Sequence, residues 1–140
     1  MEMKLNIGSD IENLRIVESK VDEVMSKLRI SRDEYGRILV ATMEAVNNAI
    51  IHGNNADVKK SVNVCFEYDQ LAFTVKVRDQ GMGFNPACVP DPTSPENIEN
   101  IDGRGIFLMK SLSDDIDYND DGNEVVMKFK IVTGDDEVLL

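Results

Sequence analysis

Residues Thr42 to Asn54 read TMEAVNNAIIHGN, the end of a long helical run whose two faces differ in chemistry. Tyr35, Ile38, Leu39, Thr42, Val46, Ala49 and Ile50 recur at helical spacing and predict the stripe that packs on a core. Glu44 and Asn48, four residues apart, project one above the other from the opposite side. A solvated face would surround them with Lys and Glu, whereas their neighbours here are Val40, Ala41 and Ile51. A carboxylate and an amide framed by small and apolar residues fit the wall of a cavity. They also fit a partly exposed Glu networked with Asn48 and no ligand at all, and this stretch alone does not choose.

Upstream, Ser31, Arg32, Asp33 and Glu34 form a capping box that opens this helix, and Gly53 is placed to end it in the left-handed conformation. Ser9, Asp10, Ile11 and Glu12 form another capping box, followed at helical spacing by Leu14, Val17, Val21, Val24, Met25 and Leu28. Met3, Leu5 and Ile7 alternate with polar residues and predict a short strand closed by Gly8.

Downstream, Val62, Val64, Phe66 and Tyr68 alternate, Asp69 and Gln70 turn, and Leu71, Phe73, Val75 and Val77 alternate again. This pattern predicts an antiparallel hairpin with one buried face. The parity runs on to Asp79 and puts a carboxylate at the end of the apolar face, a costly place unless something donates to it. Gly81 and Gly83 follow, in a backbone able to turn sharply and approach a ligand. From about residue 85 to 102 the periodicity stops and all four prolines of the chain occur, as expected of a functional loop or lid. Gly103, Arg104 and Gly105 then start a helix carrying Ile106, Leu108, Met109 and Leu112. Ile116 with Tyr118, and Val125, Met127, Phe129 and Ile131, predict two closing strands before an acidic tail at 133–140. This order predicts an α+β fold, a two-layer sandwich in which helices cover one face of a mixed, mostly antiparallel sheet.

With 140 residues, no repeat and no linker, the chain is expected to be a single domain over 1–140. The formal net charge of −11 argues against a nucleic-acid binder, which needs clustered Lys and Arg. It still allows a local nucleotide site or a basic protein partner. No apolar run is long enough for a membrane span, no signal-peptide core opens the chain, and Cys65 and Cys88 make neither a metal spacing nor a disulfide framework. Cytoplasmic residence is the expectation.

The segments EAVNNAIIHG (Glu44 to Gly53), DQGMGF (Asp79 to Phe84) and GRGIFLM (Gly103 to Met109) occur in this order with the proline-rich loop between the last two. Together they resemble the three nucleotide boxes of the GHKL (Bergerat-fold) ATPases, within which the chain is most similar to the small anti-sigma factor serine/threonine kinases, the RsbW-like proteins. The likeness runs from Leu5 to Ile131. It implies the Bergerat ATP-binding fold of the histidine-kinase-like ATPase domain, with ATP and Mg²⁺ as cofactors. Carried over residue by residue, it implies Asn48 as the protein ligand of Mg²⁺ and Asp79 as acceptor for the exocyclic amine of adenine. Gly81 and Gly83 would let the backbone pass close to the nucleotide. Gly103 to Gly105 would offer main-chain N–H groups to phosphate, with Arg104 adding positive charge. Glu44 matches the general base that accepts the proton of a Ser or Thr hydroxyl. The implied partners are a sigma factor and a STAS-domain anti-sigma antagonist, and a homodimer is compatible with the family. The alternative is a nucleotide-binding interaction module that transfers no phosphate; a regulatory kinase of the same fold outside sigma control is a third reading.

Other motifs fall away on inspection. No GxxxxGK[ST] is present, so this is not a P-loop protein. Asp117, Asn119, Asp121 and Gly122 match the opening of a calcium loop, yet Lys128 occupies the twelfth position, and a hairpin turn is the expectation. His52 is expected to be structural, and Cys65, on the polar parity of its strand, has no base to make it a nucleophile.

Overall fold

Alternation in the strands and helical periodicity between them produce the layered arrangement in the computed structural model, which describes residues 1–81 and 101–131, with backbone alone at 101–104. The elements are β1 (Glu2–Gly8), α1 (Leu14–Leu28), α2 (Arg32–Asn48), β2 (Ser61–Tyr68), β3 (Ala72–Arg78), α3 (Ile101–Leu112), β4 (Asp115–Tyr118) and β5 (Glu124–Lys130). The five strands pair in the order β1-β2-β3-β5-β4. Every one of those pairings is antiparallel, so the sheet expected to be mixed is antiparallel throughout the described residues. The lid expected at 85–102 and the tail at 133–140 lie outside the described residues, save that Ile101 and Asp102 already belong to α3.

Register places the apolar residues of each strand in rows on one face. Met3, Phe66, Val75, Met127 and Ile116 form one row, and Leu5, Val64, Val77, Val125 and Tyr118 the next. Phe66, Phe73 and Phe129 are fully buried there, with the Phe66 and Phe73 ring centroids 5.6 Å apart. Val17, Val21 and Val24 of α1 and Ile38, Thr42 and Val46 of α2 fill the helical side of this core. Ala41 and Ala45 of α2 are buried as well, because α3 packs on α2. Arg37 holds the far end of that packing. Its Nη1 donates to the Leu112 carbonyl at 3.1 Å, and its guanidinium sits 6.0 Å from the centre of the Phe129 ring. A cation at a helix C-terminus satisfies carbonyls that the helix leaves unpaired.

Several local expectations change in detail. Ser31 does cap α2, accepting from the Glu34 N–H at 3.3 Å. Ahead of α1, Asp10 caps the 3-10 turn Ile11–Asn13 that leads into the helix, accepting from the Glu12 N–H. Ser9 is instead buried, with its hydroxyl donating to the Lys60 carbonyl at 2.8 Å. Leu71, expected in the apolar row, is exposed at the hairpin turn that Asp69 organises by accepting from the N–H groups of Leu71 and Ala72. Gly53 does not end α2 in the left-handed region. The chain continues through a π turn at Ala49–Gly53, and the left-handed residues are Asn55 and Ala56. The β4–β5 connection is a hairpin turn. Asn119 Oδ1 accepts from the N–H groups of Asn123 and Glu124, an atom that a calcium loop would need as ligand.

Candidate functional site

Three segments remote in sequence meet at the C-terminal end of α2. Glu44 and Asn48 occupy its last turns, both half-buried. The N-terminal half of α3 lies directly against them. The point where a Cβ on Gly105 would stand is 2.9 Å from Glu44 Oε2 and 3.1 and 3.3 Å from Asn48 Nδ2 and Oδ1. Any side chain at Gly105 would have to displace both groups, so the glycine is what lets the helix backbone come so close. Asn48 Oδ1 is enclosed, with no donor among the described residues. An enclosed acceptor without a partner is costly, and it fits the single amide ligand of a hard cation that takes its other oxygens from water and phosphate. Asn48 therefore fits Mg²⁺.

The second cluster is the loop that follows β3. The Asp79 N–H donates to the Asn123 carbonyl at 2.9 Å, which ties the loop to the β4–β5 turn. The Gly81 N–H donates to Asp79 Oδ1 at 2.7 Å, and Oδ2 receives no hydrogen bond from a described residue. Gly53 at the end of the π turn packs on this carboxylate: a methyl on Gly53 would overlap it, and one on Gly81 would overlap the Gly53 carbonyl. π turns inside helices recur at functional sites, and this one swings the chain from Asn48 directly to the Asp79 loop.

Burial pushes the Asp79 carboxyl above its ordinary value of 3.8, with the Gly81 N–H and the Lys60 charge pulling the other way. The raised value has a sign for stability. Between 3.8 and the folded value the native state binds more protons than the unfolded chain, so stability falls as pH rises through that window. At neutral pH the ionised carboxylate is therefore a cost to the empty protein. Asp79→Asn should leave the apoprotein at least as stable at pH 7 and flatten that pH dependence. It should also weaken ADP binding by about 10- to 100-fold, the scale of one hydrogen bond to a charged group. Urea melts across pH with calorimetric titration check both halves, and unchanged ADP affinity would remove Asp79 from the pocket.

Of the residues expected from sequence, Glu44, Asn48 and Gly105 come together, and Asp79 and Gly81 come together with Gly53. Gly103 lies on the backbone of α3, whereas the side chain of Arg104 and the whole of Gly83 lie outside the described residues. His52 is exposed on the π turn. Cys65 sits on the outer sheet face, 3.9 Å from a Glu2 carboxylate oxygen, and burial pushes its thiol up, the opposite of nucleophile activation. One residue went unread in the sequence. Asn54 is fully buried beside the Asp79 loop, and its partners come from segments that no local pattern connects to it.

The likeness to known proteins extends over most of the chain. The sequence model of the histidine kinase-like ATPase domain matches residues 7–129. The anti-sigma F factor of Clostridium acetobutylicum is 30% identical over 96% of this chain and 97% of its own. That of Halalkalibacterium halodurans is 30% identical over 82% of this chain and 80% of its own. The serine-protein kinase RsbW of Staphylococcus epidermidis is 28% identical over 89% of this chain and 84% of its own. Among solved structures, the RsbU and RsbW domains of a Mycobacterium tuberculosis protein superpose with a TM-score of 0.64 over 94% of this chain and 32% of that one. At 17% identity that likeness speaks for the fold alone.

Proposed function

Because this chain belongs to the histidine kinase-like ATPase family, in its anti-sigma factor kinase branch, we propose that it is an anti-sigma factor and an ATP-dependent protein serine/threonine kinase. It sequesters a sigma factor and phosphorylates a STAS-domain antagonist, and that phosphorylation frees it to bind sigma again. The observation that carries the reading is the approach of Gly105 to Glu44 and Asn48, which leaves an enclosed amide oxygen beside a carboxylate.

Each residue then has one task. Asp79 Oδ2 accepts from the exocyclic amine of adenine while Oδ1 stays on the Gly81 N–H. Asn48 Oδ1 holds Mg²⁺, which when bound neutralises phosphate charge. Glu44 takes the proton of the attacking Ser or Thr hydroxyl. With α3 beginning at Ile101, the N–H groups that the helix leaves unpaired are those of its first turn, where Gly103 lies and where Arg104 adds charge for the phosphates. Gly105 supplies clearance. Phosphoryl transfer relies mainly on positioning and charge neutralisation, so one carboxylate and one metal suffice.

The whole of 1–140 acts as one domain, with the lid at about 85–102 covering the triphosphate and Gly83, ahead of it, letting the backbone pass close to the nucleotide. Cytoplasmic residence belongs to this reading, and a homodimer is compatible with it. Among the described residues no helix is long and apolar enough to cross a membrane. The test is recovery of the native complex followed by γ-labelled ATP and Mg²⁺. A sigma factor in the complex and label on a small co-purifying protein are expected, and Asn48→Ala should remove the Mg²⁺ dependence of nucleotide binding. A bound partner with label on nothing would leave a nucleotide-binding module without transfer.

A further inference from the structure

Asn54 is fully buried, and among the described residues only Ser9 and Thr42 are polar and equally enclosed. Every hydrogen-bonding group of its side chain is engaged. Nδ2 donates to Ser9 Oγ at 2.8 Å and to the Ser61 carbonyl at 2.9 Å, while Oδ1 accepts from the Gln80 N–H at 2.7 Å. Its own backbone N–H closes the π turn on the Ala49 carbonyl at 2.8 Å. One residue thus joins four segments: the end of β1, the start of β2, the turn that leaves Asn48, and the loop that carries Asp79.

The bond to Gln80 bears on the nucleotide. Gln80 lies between Asp79 and Gly81 and is held at two points: Asn54 Oδ1 takes its peptide N–H, and its side-chain Oε1 accepts from the Ser61 N–H at 2.6 Å. With Gln80 held, the next N–H along the chain, that of Gly81, points at Asp79 Oδ1. That bond fixes the carboxylate and turns Oδ2 out as the acceptor. We infer that Asn54 is a positioning residue for adenine recognition, acting through the Gln80 peptide on the Asp79 carboxylate. The inference rests on the reading of Asp79 as the acceptor for the adenine amine.

The chemistry separates this task from simple anchoring. Anchoring of β1 and β2 uses the two donors on Nδ2; positioning of the loop uses the acceptor Oδ1. Only an amide supplies both. Asn54→Ala removes all three bonds, whereas Asn54→Asp keeps the acceptor and loses the donors. Stability should therefore drop in both variants, and base selectivity in one.

The experiment is calorimetric titration of the full chain with ADP and with purine riboside diphosphate, which lacks the exocyclic amine. Wild type should prefer ADP, and Asp79→Asn should lose that preference. Asn54→Ala should weaken ADP by about tenfold or more and purine riboside diphosphate by less than about threefold, so that the preference collapses. Asn54→Asp should keep it, with urea melts showing both variants less stable than wild type. A folded Asn54→Ala protein that keeps the wild-type preference overturns the inference and leaves the Asp79 reading standing. Absence of any preference in wild type overturns both. Where Asn54→Ala does not fold, Asn54→Asp decides: a retained preference supports the inference and a lost one overturns it.

Discussion

Gly81→Ala should reduce ADP affinity by at least about a hundredfold and cost about 1–3 kcal/mol of stability, the scale of overpacking a closed contact. The obstacle is backbone. A methyl on Gly81 would run into the carbonyl of Gly53, which belongs to the π turn, and would stand 3.0 Å from Asp79 Oδ1. The Gly53 carbonyl is backbone and cannot yield by a rotamer change, so the loop must move away from the end of α2. That movement breaks the Gly81 N–H bond which fixes the Asp79 carboxylate. The sheet and α1 are built from other contacts, so the variant should fold with native far-ultraviolet dichroism. Urea melts and ADP titration measure the two effects, and wild-type affinity in the folded variant would show that Asp79 and Gly81 do not bind the base.

Glu44→Ala should lower phosphoryl transfer by about 10²- to 10⁴-fold, the contribution of a positioned general base, with ADP affinity unchanged. The carboxylate is half-buried at the edge of α2, beside Gly105 and away from the Asp79 cluster. Its removal opens space and orphans no described donor, so stability should stay within about 0.5 kcal/mol of wild type. Single-turnover transfer to the co-purifying substrate, with parallel ADP titration, separates chemistry from binding. Unchanged transfer would move the base elsewhere. A fall in both transfer and nucleotide affinity would make Glu44 a binding group.

Both expectations concern residues that could be named before any coordinates, because each stands inside a short motif with a chemical demand. Asp79 ends an apolar parity, Glu44 and Asn48 share a helix face, and glycines follow where backbone must come close. Strand alternation was equally legible: Val62 to Tyr68 and Val125 to Ile131 are buried at every second residue as their pattern predicts. The misreadings fall where tertiary contacts override a local signal. Ser9 has a capping sequence, yet its hydroxyl is drawn inward to Lys60 and Asn54, and Asp10 takes over the cap. Gly53 is placed like a helix stop, yet it is there because nothing larger than hydrogen fits against the Asp79 carboxylate.

What the sequence by itself determined is therefore whatever repeats or sits at fixed offsets: the strands, the helices, the acidic charge balance, and the boxes that identify the family. Tertiary structure alone decided which boxes touch. Gly105 reaches Glu44 across 61 residues of chain, and Gly81 meets Gly53 across 28. The role of Asn54 belongs with these, since an amide reveals its purpose only through the three groups that it satisfies, and here they lie on three separate segments. Periodicity is a property of one element against solvent and can be read along the chain. Hydrogen-bond complementarity is a property of several elements at once and exists only after the chain has folded.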